Sequence, residues 1–271
     1  MVHTPSPHAA LLPFLAPNRF AAYRRSSPDE AAALELYVWD RDLSAAFFAD
    51  IAIIEVAMRH AMHRGLVADL GAQWDIQPGN WDDRTTRKLS EARSRLGHRL
   101  TPDRLVAELM FGFWLGLLDE GGRASGPRGP RRVKYEGLWR STLHQAFPGA
   151  KHAARAAGAR ASRSWVHGQV AMVAALRNRV AHHEPLINGI SLPGQTDAPR
   201  QAVRITIADA YNVCATVAVI IDRDLGTWIA QTSSVPRFLG SLLDALRTSA
   251  LARDAWCGVR DDLRSPASCA D

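Results

Sequence analysis

Residues 43–66 read LSAAFFADIAIIEVAMRHAMHRGL. Leu43, Phe47, Ile51, Ile54, Met58, Met62 and Leu66 step through this stretch by three or four residues, which places them on one face of an α-helix. A half-buried strand needs alternation by two, and that is absent here. Helix is therefore the unit from which the rest is read. Upstream, Ser27 has the character of an N-cap, with Pro28 at the first helical position and Asp29 and Glu30 in the first turn. Leu34, Tyr37 and Val38 continue the pattern, a break is expected near Asp42, and Gly71 is expected to end the run. Residues 1–17, with four prolines and few charges, read as a loosely packed arm.

Downstream the same grammar recurs. Residues 72–81 read as a loop, and Asp82 or Asp83 is placed to cap a basic helix from about Arg84 to Leu96. Thr101 and Pro102 start a further helix through Leu105, Leu109, Phe113, Trp114 and Leu117. Residues 120–132, rich in Gly, Pro and Arg, read as a flexible loop that is either solvated or a grip for an RNA backbone. Helices are expected at 135–147 and 151–183, the second interrupted near Gly158, and residues 185–203 as a long exposed connection. Thr206 and Asp209 match a capping box opening a helix to about Gln231, and a last helix spans 236–248. Residues 202–207 are the single short strand candidate. The fold class is all-α, one domain over residues 18–250 with a C-terminal tail at 251–271.

Composition sets the outer bounds. The chain has 271 residues, 47% hydrophobic and 22% charged, enough for a substantial core. Its net charge is +6 and its pI about 9.7, which permits a polyanionic partner without requiring one. Nearly all the positive charge is Arg, since Lys occurs only at 88, 134 and 151. Cys214, Cys257 and Cys269 are too widely spaced for a zinc site, and their odd number argues against a secreted disulfide scaffold. There is no leader-like N-terminus and no apolar run of about 18 residues, so a cytoplasmic protein without a membrane span is expected. Trp114, Trp139, Trp165 and Trp228 fall in register with apolar neighbours and read as core, with base stacking the alternative.

The chemistry concentrates at residues 177–185, Arg-Asn-Arg-Val-Ala-His-His-Glu-Pro. Arginine can grip a phosphate with paired hydrogen bonds, and histidine moves protons near neutral pH. Arg177, Asn178, His182 and His183 are the candidate catalytic residues, with Glu184 beside them in support. On one straight helix Arg177 lies ~140° from His182 and ~120° from His183, so they do not share a face. Either Pro185 frays the helix end and re-aims the histidines, or two copies of the helix meet across a two-fold axis. The plain alternative is a polar helix C-terminus complementing its own dipole. Glu55 and Arg59 are four apart and read either as an intrahelical ion pair or as supports that orient the motif. No metal or other cofactor is required by this set.

The run at 177–185 resembles the signature of the Abi-like (abortive infection) family within the HEPN superfamily, an arginine followed four to six residues later by a histidine. Collinear segments carry the resemblance further: 55–59 (Glu-Val-Ala-Met-Arg), 111–118 (Phe-Gly-Phe-Trp-Leu-Gly-Leu-Leu), Trp139 with Phe147 and Pro148, and 221–225 with Trp228, so that it covers about residues 20–232. It implies a HEPN-type helical bundle with additional N-terminal helices. It also implies a metal-independent endoribonuclease that acts as a homodimer with a composite site, in phage defence or as a toxin with an antitoxin partner. By motif match the functional residues would be Arg177, Asn178 and His182, with His183 next. Some HEPN toxins carry a Tyr two residues after the His; Glu184 or Pro185 stands there in this chain. The alternatives are a non-catalytic RNA- or nucleotide-binding module and a helical interaction partner in a toxin–antitoxin pair.

Overall fold

The computed structural model describes residues 7–77, 79–126, 129–197 and 201–248. The C-terminal tail read at 251–271, with Cys257 and Cys269, lies outside them. The described residues are mostly helical. Where the sequence reading has one body over 18–250, the backbone groups into two compact units, each discontinuous in sequence. Of the described residues, the smaller contains those up to Phe47, Val180–Asn188 and those from Ser234 to Thr248; the larger contains those of Phe48–Arg179 and Gly189–Ser233.

In the smaller unit, α1 (Pro17–Arg25) precedes the first part of α2 (Glu30–Leu70). The segment read as a loose arm contains a 3-10 turn at Ala9–Phe14. Leu11, Leu12 and Leu15 there pack on a core of Phe20, Tyr23, Ala33 and Leu34, burial that an isolated proline count does not register. The Tyr23 and Tyr37 rings meet edge-on at 5.3 Å between centroids. Asp29, rather than Ser27, caps α2: its carboxylate accepts from the Ala32 N–H at 2.8 Å. The break expected at Asp42 does not occur, and α2 continues unbroken to Leu70. No Gly or Pro interrupts it there, and Leu43, Phe47, Ile51 and Ile54 hold its buried face. Gly71, at φ +83°, ends it as expected. From the far end of the chain, α11 (Val235–Thr248) brings Phe238 edge-on to Trp39 and Ser241 Oγ to within 3.1 Å of the Trp39 indole N–H.

The larger unit takes the rest of α2, then α3 (Asp83–Leu96), α4 (Pro102–Glu108), α5 (Phe111–Leu117), α6 (Tyr135–Ser141), α7 (Ala150–Ala156) and most of α8 (Arg163–Ala181), with α9 (Ile207–Ile221) and α10 (Arg223–Thr232). Two antiparallel ladders accompany them: β1 (Arg123–Ala124) with β2 (Arg131–Arg132), and β3 (Ile190–Asp197) with β4 (Gln201–Ile205). Both arise in stretches read as loops, and only β4 had a strand-like pattern.

An aromatic cluster of Trp74, Trp81, Phe113, Trp114 and Tyr135 forms much of its core. Every indole N–H in that cluster has an acceptor: His63 Nδ1 for Trp74, the Trp74 carbonyl for Trp81 and the Leu109 carbonyl for Trp114, each at 3.1 Å. A buried indole donor left bare would offset much of what its ring area contributes. Trp228, expected in the core, is 48% exposed on α10, whereas Trp139 and Trp165 are half-buried.

Glycine permits two close approaches within this unit. A Cβ at Gly149 would collide with the Val219 carbonyl, and one at Gly226 with the Val219 side chain. These set α7 and α10 against α9. The long helix read to Gln231 is in fact divided at Asp222, which adopts extended backbone and caps α10 through the N–H groups of Asp224 (2.8 Å) and Leu225 (3.1 Å). The interruption expected near Gly158 is present, and Ser162 restarts the chain as the cap of α8. Among the described residues no helix is long and apolar enough to cross a membrane.

Candidate functional site

Asp82 begins the construction of the site. It is the buried N-cap of α3, accepting from the Thr85 N–H at 2.8 Å, and the Tyr135 hydroxyl donates to Thr85 Oγ1 at 2.7 Å. This fixes α3 and presents Lys88, Glu91 and Arg95 along one side of it. The single helix expected from Thr101 to Leu117 stops at Glu108 and restarts at Phe111. Leu109 and Met110 between them are extended. Two side chains stabilise that break by taking up carbonyls that lose their helical partners. Arg59 Nη1 donates to the Ala107 carbonyl at 3.1 Å, and Trp114 Nε1 to that of Leu109. Neither glycine nor proline marks the place, so periodicity alone ran through it.

The break leaves Met110 63% exposed and opens a cavity of about 400 Å³ bounded by α3, the Leu109–Met110 link, α5 and the last turns of α8. Arg177 and Asn178 line it. Asn178 is exposed; Arg177 is half-buried, and its Nε is fully buried with no hydrogen-bond partner among the described residues. Arg95 is neutralised by Glu108 at 2.5 Å, and Glu91 faces Arg87 at 3.8 Å. Lys88 donates to the Gly112 carbonyl at 3.0 Å. Its ammonium is held below the usual lysine range, first by burial and then by the positive charges of Arg84 and Arg87.

Glu55 and Arg59 form an ion pair at 3.0 Å with both side chains largely buried. Arg59 spends a further N–H on α4, and its Nε is a second buried atom without a partner. Among the described residues neither side chain hydrogen-bonds Arg177. Their direct role is to hold the end of α4, and so the cavity's edge.

The division between the two compact units falls inside the motif, between Arg179 and Val180. Arg177 and Asn178 belong to the larger unit. His182, His183 and Glu184 belong to the smaller, and all three are exposed. The fraying expected ahead of Pro185 takes place: α8 ends at Ala181, and His183 has a left-handed backbone with φ +53°. No other non-glycine residue among those described has a positive φ. Arg19 on α1 closes the helix end by donating to the carbonyls of His182 (3.1 Å) and His183 (3.4 Å). Buried Asp40 fixes the chain just beyond. Its carboxylate accepts from the N–H groups of Leu186 (3.0 Å) and Ile187 (3.1 Å) and from the Tyr23 hydroxyl (2.8 Å). Desolvation, then the charge of Asp40, pushes the Tyr23 phenol well above its ordinary range.

No family model, curated protein or solved structure matches this chain. Arg19, Asp40, Lys88 and Met110 were not identified from sequence. Only Asp40 left a signal there, as an acid in the buried register of α2 ahead of Leu43 and Phe47. Lys88 and Met110 matter because of a helix break that no residue type announces.

Proposed function

We propose that this chain is a metal-independent endoribonuclease of the Abi-like HEPN type. It acts as a cytoplasmic homodimer in phage defence or as the toxin of a toxin–antitoxin pair. The observation that carries this reading is Arg177: a half-buried guanidinium at a cavity wall, beside an exposed amide, with no ion pair among the described residues. A guanidinium is a chemically matched donor for phosphate oxygens. The two exposed imidazoles follow in the same motif, on backbone pinned by Arg19 and Asp40.

The chemistry is internal transfer. An imidazole of His182 or His183 takes the proton of the ribose 2′-hydroxyl, whose oxygen attacks the adjacent phosphorus. The bond to the 5′-oxygen breaks, and that oxygen leaves protonated by an imidazolium. The products are a 2′,3′-cyclic phosphate and a 5′-hydroxyl. Arg177 stabilises the negative charge that grows on the non-bridging oxygens, and Asn178 binds phosphate or orients a histidine. RNA is cut and DNA, lacking the nucleophile, is spared. The helices form a HEPN-type bundle, and in the homodimer the second copy supplies part of the site. A second reading, an RNA- or nucleotide-binding module without cleavage, is favoured by one observation: no imidazole lines the Arg177 cavity.

Incubating the full chain with labelled RNA in excess EDTA tests both. The nuclease reading expects fragments ending in 2′,3′-cyclic phosphate. Arg177→Ala should slow their formation by ~10²–10³-fold, the effect of removing one donor to a developing oxyanion. The double change His182→Ala, His183→Ala should abolish it while the dimer persists. Retention of RNA without cleavage identifies the binding module; unchanged cutting by these variants refutes the assignment.

A further inference from the structure

We propose that the cavity beside Arg177 is a nucleotide subsite, in which Lys88 and Arg177 hold a phosphate while the base lies against the apolar wall around Met110. The inference rests on the RNA-directed reading above and names which part of the strand is gripped, and by what. The cavity's charges sort in a way that leaves room for one anion. Arg95 is paired with Glu108, and Glu91 faces Arg87. Lys88 and Arg177 are the two lining cations with no carboxylate partner among the described residues. Lys88 has only a neutral carbonyl, that of Gly112. Burial and the charges of Arg84 and Arg87 disfavour its ammonium more than the attraction of Asp82 and Glu91 offsets, so a bound phosphate would supply a near anion that no salt bridge of Lys88 provides.

The remaining wall is unsuited to a bare anion. Leu109, Met110, Phe111, Phe113 and Leu115 make it apolar. Met110 is the most exposed of them, a soft and polarizable side chain suited to the face of a heterocycle. Asn178 adds an exposed amide with both donors and an acceptor, the equipment needed to tell one base edge from another. At about 400 Å³ the space falls in the ~300–1,000 Å³ range of small-molecule sites. An anion carrying an aromatic body fits this combination, and an isolated phosphate or a neutral nucleoside satisfies only half of it.

Calorimetric titration of the full chain with the four 3′-nucleoside monophosphates, the parent nucleosides and inorganic phosphate tests the proposal. At least one nucleotide is expected to bind tenfold or more tighter than both its nucleoside and phosphate. Lys88→Ala should remove most of that affinity and Lys88→Arg restore it, with Met110→Ala weakening nucleotide but not phosphate. Arg140→Ala, at an exposed cation outside the cavity lining, should change nothing. Absence of nucleotide binding overturns the proposal, as does phosphate binding as tightly as nucleotide or a Lys88→Ala variant that binds like the unaltered chain. The RNA assay keeps the two readings apart. Cleavage without nucleotide binding defeats the subsite and leaves the nuclease, whereas nucleotide binding without cleavage defeats the nuclease and leaves the subsite.

Discussion

His183 combines two demands on one residue. Its imidazole is one of two candidates for proton transfer, and its backbone sits at φ +53°, where a side chain with a Cβ is disfavoured by roughly 1–2 kcal/mol. A helix end of this shape ordinarily carries glycine. The position therefore keeps a side chain at the expense of stability, as functional residues often do. His183→Gly is expected to raise the unfolding free energy by about 1 kcal/mol, seen as a higher denaturant midpoint with an unchanged slope. Arg19 still reaches the two carbonyls in that variant, because it binds backbone. Cleavage measured on the same protein then separates the histidines: loss assigns proton transfer to His183, and retention assigns it to His182. A lower midpoint would show that the side chain contributes more than the backbone geometry costs.

Among the elements, the legible ones were those whose termini carry their own chemistry. Asp82, Thr101 and the Thr206–Asp209 capping box all cap helices as their residue types require. So does Gly71 at the end of α2. What failed to show were breaks made by tertiary contacts: Leu109–Met110, held open by Arg59 and Trp114, and the β1–β2 ladder, where Asp83 takes the Ser125 N–H and hydroxyl at 2.7 and 2.9 Å. Of the site, the motif was legible and the cavity was not, since its walls join residues 88–115 to residues 174–178 of α8. Two predictions belong at this scale. Gly149→Ala should destabilise by ~1–3 kcal/mol, because the added methyl meets backbone of α9 that is not free to move aside. A midpoint within error of the unaltered chain would show that α7 can shift.

Burial of His63 gives the second of these its sign. His63 Nδ1 accepts the indole N–H, and burial lowers the histidine's pKa from 6.5. Asp103 and Asp75 pull the other way and His60 adds to the lowering. The folded state then binds fewer protons than the unfolded one, so this contribution is full above pH 6.5 and declines as pH falls through that value toward the lowered one. Between pH 8 and pH 5.5 the unaltered chain should lose more stability than His63→Gln, whose amide oxygen can still accept from Trp74. Equal losses would count against the buried His63 imidazole as the source.

At the scale of the whole molecule, the question is which copy supplies the imidazole. The unit boundary at Arg179–Val180 places the guanidinium and the histidines in different compact bodies of one chain, joined through the last turn of α8. On the nuclease proposal, a phosphate bound at Arg177 in a homodimer can be served by a histidine of the second copy. Mixing two defective proteins distinguishes this arrangement from one confined to a single chain. Take Arg177→Ala together with the double variant His182→Ala, His183→Ala, unfold and refold them in equal amounts, and assay RNA cleavage. Random pairing makes about half the dimers mixed, and if each site draws on both chains every mixed dimer has one site with both Arg177 and the histidines intact. Activity should return to roughly a quarter of that of the unaltered protein, and should scale with the measured fraction of mixed dimer. Where each site is built within one chain, every site in the mixture lacks one partner, and no proportion of the two restores cutting.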